Sequence, residues 1–173
     1  YMSRSTPLLE LPKFVADLGY EYIELSPRED FTPFFLHPRA SDDVVAKFRN
    51  ALKVAGVKIA THLPLYRWSG PDEDERQAAV RYWKRAIQIT VDLGCNVMNS
   101  EFNGRPEAAS ISEAQFWRSM EELLPVFEKE NGMLYYPTFY EGLEQSKNVI
   151  YTGQEATQQI LAGLDWIAKE KKA

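Results

Sequence analysis

Amphipathic segments alternate along the chain with short apolar segments, and a glycine stands before each apolar segment. The glycines are Gly19, Gly56, Gly94 and Gly132, which follow one another at intervals of 37 or 38 residues. A glycine after a helix supplies the left-handed residue that ends it, and the chain then enters a strand directly. Because parallel strands are joined by crossover helices, this period predicts repeated βα units and a parallel sheet.

Caps and first-turn charges predict where the helices begin. One helix is expected to begin near Ser41, and the next at Pro71, whose acidic first turn suits the positive end of a helix. In that second helix Trp83 lies on the apolar stripe, which predicts that it is buried. The capping box Ser110-Ile-Ser-Glu113 predicts the start of the following helix, and Pro125 is expected to kink or split it.

The repeat length restricts the architecture. A closed barrel of eight such units needs roughly 300 residues, whereas this chain has 173. We therefore predict a single α/β domain over residues 1–173, with parallel βα repeats in an open three-layer αβα sheet of the flavodoxin-like or Rossmann-like kind. The alternative is a half-barrel that is completed by dimerisation. The helix predicted over residues 11–18 has no strand before it, and a partner chain is one source for that strand.

Composition and charge exclude several classes of function. Lys and Arg number 20 and Asp and Glu number 25, so the formal charge is −5 and the isoelectric point is about 5.2. This balance argues against nucleic-acid binding, which needs a basic surface. No apolar run approaches the ~20 residues of a membrane span, and the N-terminus does not resemble a signal peptide, which predicts a soluble, cytoplasmic protein. The single Cys95 excludes an intramolecular disulfide.

Polar residues at the predicted carboxyl ends of the strands are the candidates for chemistry, because ligands of parallel α/β proteins gather there. Glu24, His62 and Glu101 are candidates for holding a divalent cation or for moving a proton between adjacent carbons. No fixed metal-binding spacing joins them, and strand ends are often polar where the chain turns toward water. Asn103 and Arg105, ahead of a helix, are candidates for binding a phosphate, with a solvated loop as the alternative.

Residues 7 to about 130 resemble the sugar-phosphate isomerase/epimerase group of xylose-isomerase-like TIM barrels. The resemblance is carried by stretches such as Ile23-Glu-Leu-Ser-Pro-Arg-Glu-Asp30, Leu63-Pro-Leu-Tyr-Arg-Trp-Ser-Gly70 and Asn99-Ser-Glu-Phe-Asn-Gly-Arg-Pro106. The resemblance covers roughly the first half of such a barrel. It implies that the half-barrel alternative, if present, is half of a TIM barrel. In this family the carboxylates and the histidine that hold the metal come mainly from later strands, which implies that the chain supplies substrate-side walls without the cation.

The segment from about residue 123 to residue 173 resembles a different family. Asn131-Gly-Met-Leu-Tyr-Tyr-Pro-Thr-Phe-Tyr140 and the residues that follow are similar to type I periplasmic binding proteins of ABC transporters that bind urea or short-chain amides. The resemblance implies that Tyr136 and Thr138 line an amide pocket, although packing of the aromatic residues is the alternative. Together the two resemblances imply an engineered chimera, with residues 1 to about 125 from one parent, about 125–173 from the other, and a junction within 122–132.

These observations favour an engineered chimeric α/β scaffold without autonomous catalytic activity, without a cofactor and without a specific small-molecule ligand. The first alternative is a divalent-metal-dependent sugar or sugar-phosphate isomerase/epimerase that uses Glu24, His62 and Glu101. The second alternative is weak binding of urea or a small amide. An unclosed half-barrel would expose strand edges and an apolar face, which favours the open sheet. A homodimer belongs to the half-barrel alternative.

Overall fold

The computed structural model describes residues 6–136 and 149–151. Five parallel strands form one sheet in chain order, β1 (Tyr22–Leu25), β2 (Lys58–His62), β3 (Val97–Asn99), β4 (Met133–Tyr136) and β5 (Val149–Tyr151). The α-helices of the described residues are α1 (Leu11–Asp17), α2 (Asp42–Ala55), α3 (Glu73–Asp92) and α4 (Ala109–Lys129). The predicted parallel α/β fold with an open sheet is confirmed. The sequential strand order is that of the half-barrel alternative, whereas a three-layer sheet carries helices on both faces.

The helices cover one face of the sheet. Ile23, Leu25 and Ile59 belong to a buried core beneath α1 and α2, whereas Tyr22 and Glu24 are exposed on the other face. Sequential parallel strands with right-handed crossovers place all their helices on the same side, which explains this arrangement. Along each strand, the side chains that alternate with the core residues therefore lie on the face that the helices leave open.

Two helix starts agree with their sequence signals. The Ser41 hydroxyl accepts a hydrogen bond from the Val44 N–H at 3.3 Å, and the Asp72 carboxylate accepts one from the Glu75 N–H at 2.8 Å. Each bond satisfies a main-chain donor that has no acceptor within the first turn of its helix. The helix predicted at Pro71 begins two residues later, at Glu73.

The predicted cap of α4 and its predicted split are wrong. A short 3-10 helix, Pro106–Ala108, leads directly into α4, so Ser110 lies inside the helix rather than at its cap. The helix also continues through Pro125 to Lys129. Leu123 and Phe127 are buried on either side of that proline, and we attribute the unbroken helix to their packing, which offsets the lost main-chain hydrogen bond.

The chain turns through a left-handed residue after each repeat, as the glycine period predicts, but the fourth repeat uses a different residue. Gly19, Gly56 and Gly94 have φ angles of 86°, 71° and 79°, whereas in the fourth repeat Asn131 takes this conformation with a φ of 53°. Asparagine tolerates the left-handed region better than other residues with a side chain. Gly132 is instead next to Phe127, whose Cδ1 would lie 3.0 Å from an added Cβ.

A second core lies between α3, α4 and the sheet, and aromatic rings dominate it. Trp83 is fully buried, as predicted, and its ring stacks on that of Trp68 with centroids 4.5 Å apart. Phe116 meets Trp68 edge-on at 5.4 Å. Because Trp68 lies in the loop after β2, this packing fixes the loop at the carboxyl edge of the sheet. No helix in the described part of the chain has the length and apolar character of a membrane span.

Candidate functional site

Three loops meet at the carboxyl edge of the sheet, after β1 (residues 26–41), β2 (63–72) and β3 (100–108). The Trp68 Nε1–H donates to the Glu101 main-chain oxygen at 2.9 Å, and the Ser69 hydroxyl donates to the Phe102 oxygen. The Phe35 N–H donates to the Leu65 oxygen at 3.0 Å. Each loop is therefore hydrogen-bonded to a neighbouring loop, and the edge is held in one arrangement.

A cavity of about 610 Å³ runs along the open side of β1, from Tyr20 and Tyr22 at the amino end of the strand to Ser26 and Arg28 at its carboxyl end. Its polar lining includes Glu24, Ser26, Arg28 and Glu101, and its apolar walls come from α1, β1 and the loops, including Leu11, Phe14, Leu18, Tyr22, Phe34, Leu63 and Leu65. An apolar cleft with a few convergent polar groups is the usual form of a small-molecule site. The cavity is therefore the candidate functional site, and it contains two of the carboxylates that the sequence singled out.

Arg28 is the buried cation of this cavity. Its guanidinium donates to both carboxylate oxygens of Asp30, each at 2.9 Å, and to the Thr6 main-chain oxygen at 3.1 Å. The hydrogen bond from Arg28 holds the pKa of Asp30 below its usual value, so Asp30 stays ionised at neutral pH. A two-pronged arginine–carboxylate contact fixes the guanidinium geometrically as well as electrostatically.

Glu24 lies in a row of polar side chains on the open face of the sheet. The Asn99 Nδ2–H donates to Glu24 Oε2 at 3.0 Å, which spans the sheet from β3 to β1. Thr61 is the register partner of Glu24 on β2, and its Oγ1 is buried without a hydrogen-bond partner in the described part of the chain. Asn99 therefore orients the Glu24 carboxylate, and Thr61 keeps a hydroxyl for hydrogen bonding nearby.

His62 does not join Glu24 and Glu101. A register irregularity between Ile23 and Glu24 pairs His62 with Leu25, so His62 is on the helix-covered face, where it is fully buried. Its Nδ1 lies 2.7 Å from Thr90 Oγ1, and its Nε2 lies 3.3 Å from Thr32 Oγ1. The Thr90 hydroxyl donates to the Ala86 oxygen, which leaves its oxygen to accept from Nδ1–H and makes Nε2 the acceptor.

The described residues do not fit a divalent cation. Within residues 6–136 and 149–151, no group of three or more His, Cys, Asp or Glu side chains is placed to hold one. Both nitrogens of His62 are engaged by threonine hydroxyls, which leaves the Glu24 and Glu101 carboxylates at the cavity. Cys95 is buried as well, and burial raises the pKa of its thiol. Two carboxylates fall short of the ligand number that such ions require.

The remaining candidate residues occupy separate places. Asn103 has a left-handed φ of 55° and donates to the Glu101 main-chain oxygen at 3.3 Å, whereas the Arg105 N–H donates to the Ser112 hydroxyl at 3.1 Å. Tyr136 ends β4, and Thr138 lies outside the described residues. Ligand binding by these residues stays a prediction.

Two features of the site were not predicted from the sequence. The first is the wall of the cavity that α1 forms. Its signal in the sequence was the apolar residues Phe14 and Leu18, in a helical segment without a preceding strand. The pairing of Arg28 with Asp30 was the other, and its signal was the short spacing of opposite charges directly after β1.

Comparisons with known proteins agree with this fold. The family model described as xylose isomerase-like TIM barrel matches residues 12–167. A D-psicose 3-epimerase structure determined in the presence of D-fructose has a TM-score of 0.67 at 15% identity, over 86% of this chain and 60% of that chain. A 3-keto-D-glucoside 4-epimerase from E. coli has a TM-score of 0.59 at 14% identity, over 78% of this chain and 52% of that chain.

A third similar structure contains a metal. A xylose isomerase-like TIM barrel protein from Mycobacterium smegmatis in complex with magnesium has a TM-score of 0.55 at 12% identity, over 96% of this chain and 56% of that chain. This chain thus spans about half to three fifths of the length of the three structures. At these identities the likeness shows the fold. No curated protein matches the chain.

The predicted engineered scaffold without activity is contradicted by these findings. One family model runs from residue 12 to residue 167, through the predicted junction at 122–132, and similar structures include sugar epimerases. The barrel half of the predicted resemblance is confirmed. The resemblance of residues from about 125 onward to periplasmic binding proteins finds no support in the comparisons.

Proposed function

Because the chain belongs to the xylose isomerase-like TIM barrel family, we propose that it forms the substrate-facing wall of a sugar isomerase or epimerase site. The observation that carries the proposal is the cavity beside β1, whose end at the carboxyl edge of the sheet Glu24 and Glu101 line together. In closed βα barrels this edge holds the active site, because the loops after the strands converge there.

The two carboxylates have different surroundings, which suits different roles. Asn99 holds one oxygen of Glu24, so Glu24 presents its second oxygen in a fixed direction and is assigned to binding a substrate hydroxyl. Glu101 is exposed at the cavity on a loop that Trp68 anchors through a main-chain hydrogen bond. We assign Glu101 the removal of a proton from the carbon next to the sugar carbonyl.

In this step the Glu101 carboxylate acts as a general base. The carboxylate takes the proton, and the electron pair of the C–H bond forms the double bond of an enediolate with charge on the former carbonyl oxygen. Return of the proton to the former carbonyl carbon isomerises the sugar when the proton of the neighbouring hydroxyl moves to the former carbonyl oxygen. Protonation of the original carbon on its opposite face by water epimerises the sugar, and the hydroxide that forms takes the proton held by Glu101.

Conversion of D-fructose or D-psicose, followed by chromatography of the products, tests this proposal with Mg²⁺ present in all assays. Glu101→Gln keeps the shape of the side chain and removes the base, so the rate is expected to fall at least tenfold. Glu121→Gln on the exposed face of α4 is the matched control and is expected to keep the wild-type rate. Equal rates for Glu101→Gln and the wild type would contradict the assignment, and no conversion of either sugar would contradict the choice of substrate.

Location and assembly stay predictions. We expect the protein in the cytoplasm, and we expect a homodimer because the edge strand β1 and the apolar side chains of Phe14 and Leu18 are exposed.

A further inference from the structure

A second charged cluster lies beside the cavity, on the same three loops. It consists of Arg67 and Arg105, which we call the arginine pair, together with Glu75 from the first turn of α3 and Phe35. Arg67 Nε lies 3.3 Å from Glu75 Oε1, and Arg105 Nη2 lies 3.6 Å from Glu75 Oε2. Two cations thus share one carboxylate, which leaves the cluster with an excess positive charge.

The arginine pair retains contact with solvent and has donors to spare. The side chains of Arg67 and Arg105 are 38% and 46% exposed. Each guanidinium has five N–H donors, and a single carboxylate shared between two of them engages few of these. Glu75 Oε2 is buried without a hydrogen-bond partner in the described part of the chain, so the ion pair with Arg105 lacks hydrogen-bond geometry.

The surrounding framework places the Arg67 guanidinium and the main chain of Arg105. The Arg67 Cζ lies 4.3 Å from the centroid of the Phe35 ring, a cation–π contact that orients the guanidinium plane. The main chain at Arg105 is fixed by its hydrogen bond to Ser112. Gly70 makes room for the Glu75 carboxylate, because an added Cβ would lie 2.6 Å from Oε2.

Two neighbouring acids at the start of α3 have other partners. Glu73 accepts from Arg76 at 2.8 Å and from Arg118 at 2.9 Å, and the hydrogen bond from Arg76 lowers the pKa of Glu73 to about 2. Asp72 caps the helix. Glu75 is therefore the carboxylate that competes directly for the arginine pair.

Each loop that contributes to the cluster also has a cavity-lining residue within four positions in the sequence. Phe34 precedes Phe35, Leu65 lies two residues before Arg67, and Glu101 lies four residues before Arg105. The cluster and the cavity thus draw on the same three loops.

We propose that the arginine pair binds an oxyanion group of the ligand, a phosphate or a carboxylate, and that Glu75 is the internal counter-ion which this group displaces. Paired guanidiniums suit such a group, since their planar N–H forks match its oxygens. This inference rests on the proposed function in one respect: the rest of the ligand is a sugar, and the sugar occupies the cavity.

Titration calorimetry with inorganic phosphate and with acetate, at constant ionic strength and neutral pH, tests the oxyanion site. Arg67→Gln and Arg105→Gln are each expected to weaken binding about tenfold, which is the loss of one charged hydrogen bond. Glu75→Gln is expected to strengthen binding, because it removes the competing charge and keeps the side chain's shape. Arg81→Gln on the exposed face of α3 changes the net charge equally and is expected to leave binding unchanged.

Tighter binding of phosphate than of acetate assigns a phosphate group, and the reverse order assigns a carboxylate. Three results would overturn the proposal, namely no binding of either anion, equal weakening by Arg81→Gln, or no gain from Glu75→Gln. Because these measurements detect binding without turnover, their failure leaves the proposed sugar chemistry standing. Failure of the sugar conversion assay likewise leaves the oxyanion site standing.

Discussion

Replacement of Trp83 by alanine is expected to lower the free energy of unfolding by about 3–5 kcal/mol, the usual loss for a buried tryptophan. The side chain is fully buried at the centre of the second core. Its ring stacks on Trp68 at 4.5 Å and meets Tyr66 edge-on at 5.8 Å. The Nε1 has no hydrogen-bond partner in the described part of the chain, so packing accounts for the ring's contribution.

Urea unfolding followed by circular dichroism measures this loss. Val54→Ala is the control, because Val54 is 80% exposed on α2 and its truncation removes little buried surface. We expect the control to lose about 1 kcal/mol or less. A loss below about 1 kcal/mol for Trp83→Ala would show that this face of α3 does not pack as described.

Acid is expected to destabilise the protein through His62 before the carboxylates begin to titrate. Burial lowers the pKa of His62 from 6.5 to about 3, so the folded protein keeps the imidazole neutral. The unfolded chain binds a proton at this residue below pH 6.5, and the folded protein does not. The stability from His62 is therefore complete above the unfolded pKa and is lost as the pH falls below it.

The expected loss between pH 7 and pH 5 is about 2 kcal/mol, from roughly 1.4 kcal/mol for each pH unit below the unfolded pKa. Urea unfolding at half-unit steps of pH measures the slope. His62→Gln keeps a side chain able to form hydrogen bonds and removes the titrating group, so its slope should be nearly flat in this window. His37 remains in both proteins and cancels from the comparison. Equal slopes would contradict the neutral, buried state of His62.

The regular part of the fold was predictable because its causes are local. The glycine period encodes the βα repeat, and the caps at Ser41 and Asp72 encode two helix starts. The start of α4 was missed because Pro106 begins a 3-10 turn that runs into the helix, and a capping signal inside the helix then has no effect. Core packing on both sides of Pro125 is a tertiary effect, which local sequence does not report.

The site was predictable only where position along a strand decides it. Glu24 and Glu101 follow from their places on and just after strands, and both line the cavity. His62 was misplaced because the register irregularity beside Ile23 changes which face it occupies, whereas simple alternation from Ile59 puts it on the open face. The contacts of Glu75 with Arg67 and Arg105 join separate loops, and sequence spacing carries no signal of them.

Nuclear magnetic resonance of the ¹⁵N-labelled protein, titrated with D-fructose, tests most directly whether the carboxyl-edge cavity is a sugar site. Saturable shift changes are expected at the main-chain amides of Ser26, Leu65 and Glu101, which surround the cavity. The amide of Val54, on the exposed face of α2, is expected to stay unchanged and serves as the internal control. Saturable changes confined to residues away from the cavity, or none at any sugar concentration, would contradict the placement of the site.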